Sequence, residues 1–274
     1  MRIVIGNLKE ALHPDTLRAA LAEFISMFIF VSASEGCAIA FTNTLMSEGA
    51  IMPGAGFIST AISHAFSLFV AVSVSANISG GHVNPAVTFA AFIRGYITFY
   101  RSVLYWIAQL LGSMMALFLL KFATGGLDTS PYALRGGATP RNAIFFEIVM
   151  TFGLVYTVYA TTIDPKRGDM ECIAPITVGF FVGANTLAGG GLYGATMNPA
   201  MAFGQAIDSR KWKSHRIYRL GPFVGAAIAA LVYEIIFIDS RKTHWPLPAE
   251  IVERDHLKEY LIEVEKSHTI SITL

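Results

Sequence analysis

Two stretches decide the fold: Ser79-Gly80-Gly81-His82-Val83-Asn84-Pro85-Ala86-Val87-Thr88-Phe89 and Gly194-Ala195-Thr196-Met197-Asn198-Pro199-Ala200-Met201-Ala202-Phe203. Both centre on Asn-Pro-Ala. In each, glycine and small residues lead into an Asn, a favoured helix cap, followed by a Pro at the first helical position, where its missing N–H costs nothing. The apolar runs that follow, Pro85 to Ile93 and Pro199 to Ile207, hold about ten residues or fewer, half of what a bilayer crossing needs. They read as half-helices. Two interrupted segments at corresponding points of two halves point to a membrane pore or binding site built on half-helix N-termini.

The rest of the chain supplies the membrane. Of its 274 residues 54% are hydrophobic and 14% charged, too apolar for an ordinary soluble domain. A net charge of +1 offers no basic footprint for nucleic acid. Cys37 and Cys172 lie in apolar runs, so neither a disulfide framework nor a metal spacing is present, and both read as small buried hydrophobes. No cofactor is implied. Met1 to Asp15 lacks the apolar core and cleavage site of a signal peptide.

Six apolar runs read as spans: Leu17 to Phe41, Phe57 to Ile78, Ser102 to Leu120, Ala143 to Thr162, Cys172 to Leu187 and Leu220 to Ile238. The expected class is therefore an all-α membrane protein, with a short segment 1–16, a channel-like domain 17–238 (halves at about 17–120 and 143–238) and a polar tail 239–274. The halves match in order: a span with a carboxylate, a span, a half-helix, a span. Glu23 in Ala-Glu-Phe-Ile and Glu147 in Phe-Glu-Ile-Val are equivalent, and Gly112 and Gly225 follow their box asparagines by 28 and 27 residues. Three spans per half is odd, so the second copy is inverted. Asn84 and Asn198 then enter from opposite faces and the half-helices meet near the midplane. Gly112, Ser113, Gly221, Gly225 and Ala226 would allow close helix packing. With both termini cytosolic, that side carries twelve Lys and Arg against eight, in keeping with positive-inside. Within the tail, Ala249 to Lys266 has the spacing of an amphipathic helix.

Each half-helix N-terminus is equivalent to roughly half a positive charge, so their meeting point repels cations, hydronium included. The asparagine amides offer N–H donors into a narrow path while their carbonyl oxygens cap backbone. Apolar walls with few polar contacts suit fast flow of small neutral solutes. Glu23 and Glu147 read as braces for the re-entrant loops. A proton-coupled carrier using this pair remains open at this point, as does a closed structural protein. Ser79 with His82 lacks the third group and oxyanion device of a hydrolase. His82 reads as a loop-packing residue more than a pH gate.

The boxes, together with Ser75-Ala76-Asn77-Ile78, Tyr105-Trp106-Ile107-Ala108-Gln109-Leu110-Leu111-Gly112 and Phe146-Glu147-Ile148-Val149-Met150-Thr151-Phe152-Gly153-Leu154-Val155-Tyr156-Thr157-Val158-Tyr159-Ala160-Thr161, resemble the major intrinsic proteins, or aquaporins. Within them the closest likeness is to the plant tonoplast intrinsic proteins, over about Pro14 to Ile238, and His13-Pro14-Asp15 is similar to the seed-type branch. The resemblance implies a passive channel in the vacuolar membrane, not an enzyme, assembled as a homotetramer in the lipid bilayer with one pore per subunit. It also implies pore boxes at Asn84, Pro85, Ala86, Asn198, Pro199 and Ala200. A second constriction carries over to His64, Thr186, Ala195 and Met201, with a loop contribution from Tyr132. Water-selective members have Arg directly after the second box, where this chain has Met201. Replacing a guanidinium by a thioether removes a fixed charge and donors, so water with glycerol, urea or hydrogen peroxide is the expected traffic.

Overall fold

In the computed structural model, residues 3–47, 53–129, 132, 134, 137, 139–170, 172–192 and 194–238 are described, the side chains of 42–47 and 53 excepted. The tail 239–274, with its expected amphipathic helix, lies outside the described residues. Helices make up the regular structure: α1 (Leu8–Ala11), α2 (Pro14–Ser47), α3 (Pro53–Ser79), α4 (Pro85–Arg94), α5 (Phe99–Ala123), α6 (Pro140–Val158), α7 (Ile173–Gly189), α8 (Pro199–Ser209) and α9 (Ile217–Ile236). Five of them are long and apolar enough to cross a membrane. The sixth span, α7, has 17 residues, at the short end of what spans a bilayer. The half-helices α4 and α8 have 10 and 11.

Most spans run past the apolar stretches that announce them. The hydrocarbon slab sets the apolar length, whereas caps set the helix ends. Thus α6 starts at Pro140, behind Thr139, whose hydroxyl accepts from Asn142 N–H, and α9 starts three residues before Leu220 and carries Pro222 in its first turns. A π-helical turn, Tyr159–Ile163, prolongs α6. Both cysteines are free: Cys37 is half-buried and Cys172 exposed. This corrects their reading as buried, because Cys172 falls at the polar start of α7 rather than within its apolar run.

Packing repeats across the halves. A Cβ on Gly112 of α5 would overlap the Phe24 carbonyl of α2, and one on Gly225 of α9 would overlap the Ile148 carbonyl of α6. Phe24 and Ile148 directly follow the two carboxylates. Lipid is as apolar as leucine, so backbone closeness and van der Waals contact hold such pairs. Gly221 lets α9 lie equally close to Glu147. The two halves therefore close around the paired half-helices with the carboxylates facing inward.

Candidate functional site: the paired half-helices

The two re-entrant loops share one backbone course. Gly80, Gly81 and Val83 have φ of 91°, 63° and 49°, and Gly194, Ala195 and Met197 at the same places before their asparagine have 100°, 45° and 52°. Val83, Ala195 and Met197 thus hold left-handed conformations that cost a side-chain-bearing residue about 1–3 kcal/mol each. Buried carboxylates hold them there. Glu23 accepts from His82 N–H (2.9 Å) and Val83 N–H (2.7 Å), and Glu147 accepts from Thr196 N–H (2.7 Å) and Met197 N–H (2.9 Å). Both glutamates are 0% exposed. Glu23 accepts two more bonds, from Ser79 Oγ–H at 2.6 Å and Gln109 Nε2–H at 2.7 Å.

Each asparagine then does two jobs. Asn84 Oδ1 caps α4 by accepting from Ala86 N–H at 2.8 Å, and Asn198 Oδ1 caps α8 by accepting from Ala200 N–H at 3.1 Å. Their amide groups reach across the repeat: Asn84 Nδ2–H donates to the Met197 carbonyl and Asn198 Nδ2–H to the Val83 carbonyl, both at 2.8 Å. The N-termini therefore meet head to head, and beyond the cross-tie Asn198 Nδ2–H also reaches Met27 Sδ at 3.9 Å.

The four expected constriction residues are all buried. Ala195 and Met201 share one apolar cluster with Phe30, and Tyr132 packs against it. His64 meets the Phe30 ring edge-on at 6.0 Å, and its Nδ1 lies 2.8 Å from the Thr60 carbonyl. Thr186 donates to Val182 O on its own helix at 2.9 Å. The Tyr132 hydroxyl donates to Met201 Sδ at 3.3 Å. Its loop is pinned three residues earlier, where Thr129 N–H and Oγ1–H donate to Asp208 Oδ2 at 3.1 and 2.9 Å. Lys121 pairs with both Asp208 and Asp128.

A match to the family model for major intrinsic protein covers residues 10–233. The chain belongs to that family. It is accordingly a membrane channel for water and small solutes, not an enzyme. It is 60% identical over 246 residues to "Aquaporin TIP1-1" of Arabidopsis thaliana and 59% identical over 246 residues to "Aquaporin TIP1-2" of Musa acuminata, covering 90% of this chain and 96% of each relative. These relatives lend no separate support to the seed-type likeness of His13-Pro14-Asp15. Among solved structures, the aquaglyceroporin from Plasmodium falciparum matches with a TM-score of 0.71 at 19% identity, over 81% of this chain and 96% of its own, a likeness of fold.

Reading the sequence missed several members of this family site. Gln109 and Ser79 complete the Glu23 brace, and Thr88 joins His82 to Gln109. Glu35, 3% exposed on α2, lies beside the side chain of Gln205 on α8. By repeat position its counterpart is Tyr159, twelve residues after Glu147 as Glu35 is after Glu23. The Tyr159 hydroxyl donates to the Ala90 carbonyl of α4 at 3.1 Å. Each half thus braces the half-helix of the other. A carboxylate in an apolar span was the available signal for Glu35.

Proposed function

We propose that the composition of the outer constriction makes this tonoplast channel broad: His64, Thr186, Ala195 and Met201, with Tyr132 from the loop, select for water together with glycerol, urea or hydrogen peroxide. The multi-pass chain lies in the vacuolar membrane, as its likeness to the TIP1 relatives carries. The observation behind the proposal is the buried Met201, 1% exposed, whose thioether accepts the Tyr132 hydroxyl. A soft, unbranched side chain that can yield occupies the place where a fixed guanidinium would offer charge and donors. Ion exclusion falls to the Asn84-Pro85-Ala86 and Asn198-Pro199-Ala200 boxes, where two helix N-termini face each other. Glu23 and Glu147 act as braces rather than proton carriers, since their oxygens are committed to backbone N–H groups. The assembly is a homotetramer with both termini cytosolic.

Stopped-flow light scattering on proteoliposomes tests the constriction, under a water gradient and then a glycerol gradient, with Met201→Arg alongside. Fast flux of both solutes, with glycerol flux lost and water flux kept in the variant, supports the reading. Undiminished glycerol flux in Met201→Arg would remove Met201 from the selectivity argument.

A further inference from the structure

On the face opposite the N-terminus, beside the constriction, lies a small cavity lined by Tyr132, Gln205, Lys211, Lys213, His215 and Tyr218. It has room for about one water. Two of its polar walls are unfinished. Gln205 and His215 are 3% and 5% exposed, and among the described residues Gln205 Oε1 and His215 Nε2 have no hydrogen-bond partner. A buried polar atom without a partner costs about 1–3 kcal/mol, and two residues that each carry one line the same water-sized space, which points to a common ligand. A single water donates to Gln205 Oε1 and also bonds His215 Nε2 in either tautomer.

We infer that this cavity is a water-binding site that joins Gln205 to His215, and that protonating His215 reshapes the wall formed by Tyr132, thereby lowering solute flux. Several elements contribute groups to the cavity that His215 lines. From the loop comes Tyr132. From α8 comes Gln205, with Glu35 of α2 beside it. The connecting segment supplies Lys211, Lys213 and the Trp212 ring, edge-on at 4.9 Å. From α9 come Tyr218 and the nearby charge of Arg219. Burial first, then Arg219, push His215 below the usual histidine range. The neutral ring is thus the form the fold prefers, and this preference is lost as pH falls through the depressed value. Once charged, the ring adds a cation beside Arg219 in a cavity that Lys211 and Lys213 also line, and the cavity relaxes by moving the wall that is a loop residue. Tyr132 is that wall, and its other side touches Met201.

The inference rests on Tyr132 acting at the constriction, so the experiment has an arm that does not. A high-resolution crystal structure of the full chain at neutral pH is expected to place one ordered water within hydrogen-bond distance of Gln205 Oε1 and His215 Nε2. No density there overturns the site, whatever the solute selectivity. In proteoliposomes, water flux of the unmodified channel is expected to drop at least about twofold from pH 7.5 to pH 5. The same assay on His215→Phe, and on His215→Asn should the first fail to assemble, is expected to show flux independent of pH. A pH profile in either assembled variant that follows the unmodified channel overturns the coupling.

Discussion

Glu147→Gln is the sharpest probe of how the second re-entrant loop is held. The change keeps the shape of the side chain and one of its acceptor oxygens, but turns the other towards an amide donor. Thr196 N–H at 2.7 Å and Met197 N–H at 2.9 Å both need an acceptor; the variant supplies one and sets NH2 against the other. Orphaning a buried N–H costs about 1–3 kcal/mol, and setting a second donor against it places the figure towards about 3 kcal/mol. The left-handed turns at Ala195 (φ 45°) and Met197 (φ 52°) together store about 2–6 kcal/mol. The loss is therefore of the same size as the strain it restrains, and the loop relaxes. Because the Met197 carbonyl receives the Asn84 amide, the relaxation reaches the cross-tie. For a domain of this size, about 3 kcal/mol corresponds to roughly 6–12 °C in Tm. Fluorescence-detected size exclusion after heating gives the shift, and stopped-flow on reconstituted protein gives water flux, expected to fall at least about tenfold. Unchanged Tm and unchanged flux together would show that these amides find other acceptors and that the brace is not one.

Three further outcomes follow from the same geometry. Asn84→Asp replaces the Nδ2 donor by an oxygen 2.8 Å from the Met197 carbonyl, so water flux should drop severalfold while α4 keeps its cap; wild-type flux would show that the cross-tie is dispensable. Gly225→Ala forces α9 off the Ile148 carbonyl and is expected to lower Tm by about 5 °C or more, consistent with overpacking costs of about 1–3 kcal/mol, measured by the same heating assay. The hydrogen bond and charge of Lys121 hold the Asp128 carboxyl below the usual range. Its share of loop anchoring is therefore kept on acidification to pH 5 and lost only as pH falls through that depressed value, so Asp128→Asn should show the same flux change between pH 7.5 and pH 5 as the unmodified channel.

What was legible in the sequence was whatever repeats or punctuates. Asn-Pro-Ala states a helix start in three residues, and its duplication with Glu23 and Glu147 at matching positions states the inversion. Gly112 and Gly225, placed by the same repeat, turned out to mark the α2–α5 and α6–α9 approaches. Helix ends were less legible, since α2 and α3 run into segments less apolar than their centres. Pro53 and Pro140, each first in its helix, are the signals that hydropathy alone passes over. The cross-repeat contacts, Glu35 with Gln205 and Tyr159 with Ala90, join positions 170 and 69 residues apart, and no local pattern encodes such pairs. His215 was passed over for the same reason: its environment is assembled from a loop, α8 and α9.

The reciprocal bonds between Asn84 and Met197 and between Asn198 and Val83 also bear on how the chain is made. A ribosome releases the first half before the second exists, and chains of this kind fold from the N-terminus onward. Until residues near 197 emerge, the Val83 carbonyl and the Asn84 amide have no mate, although Glu23 can already fix the loop's backbone. The nascent first half must therefore wait in the bilayer with its pore lining unfinished until the second loop tip inserts against the first.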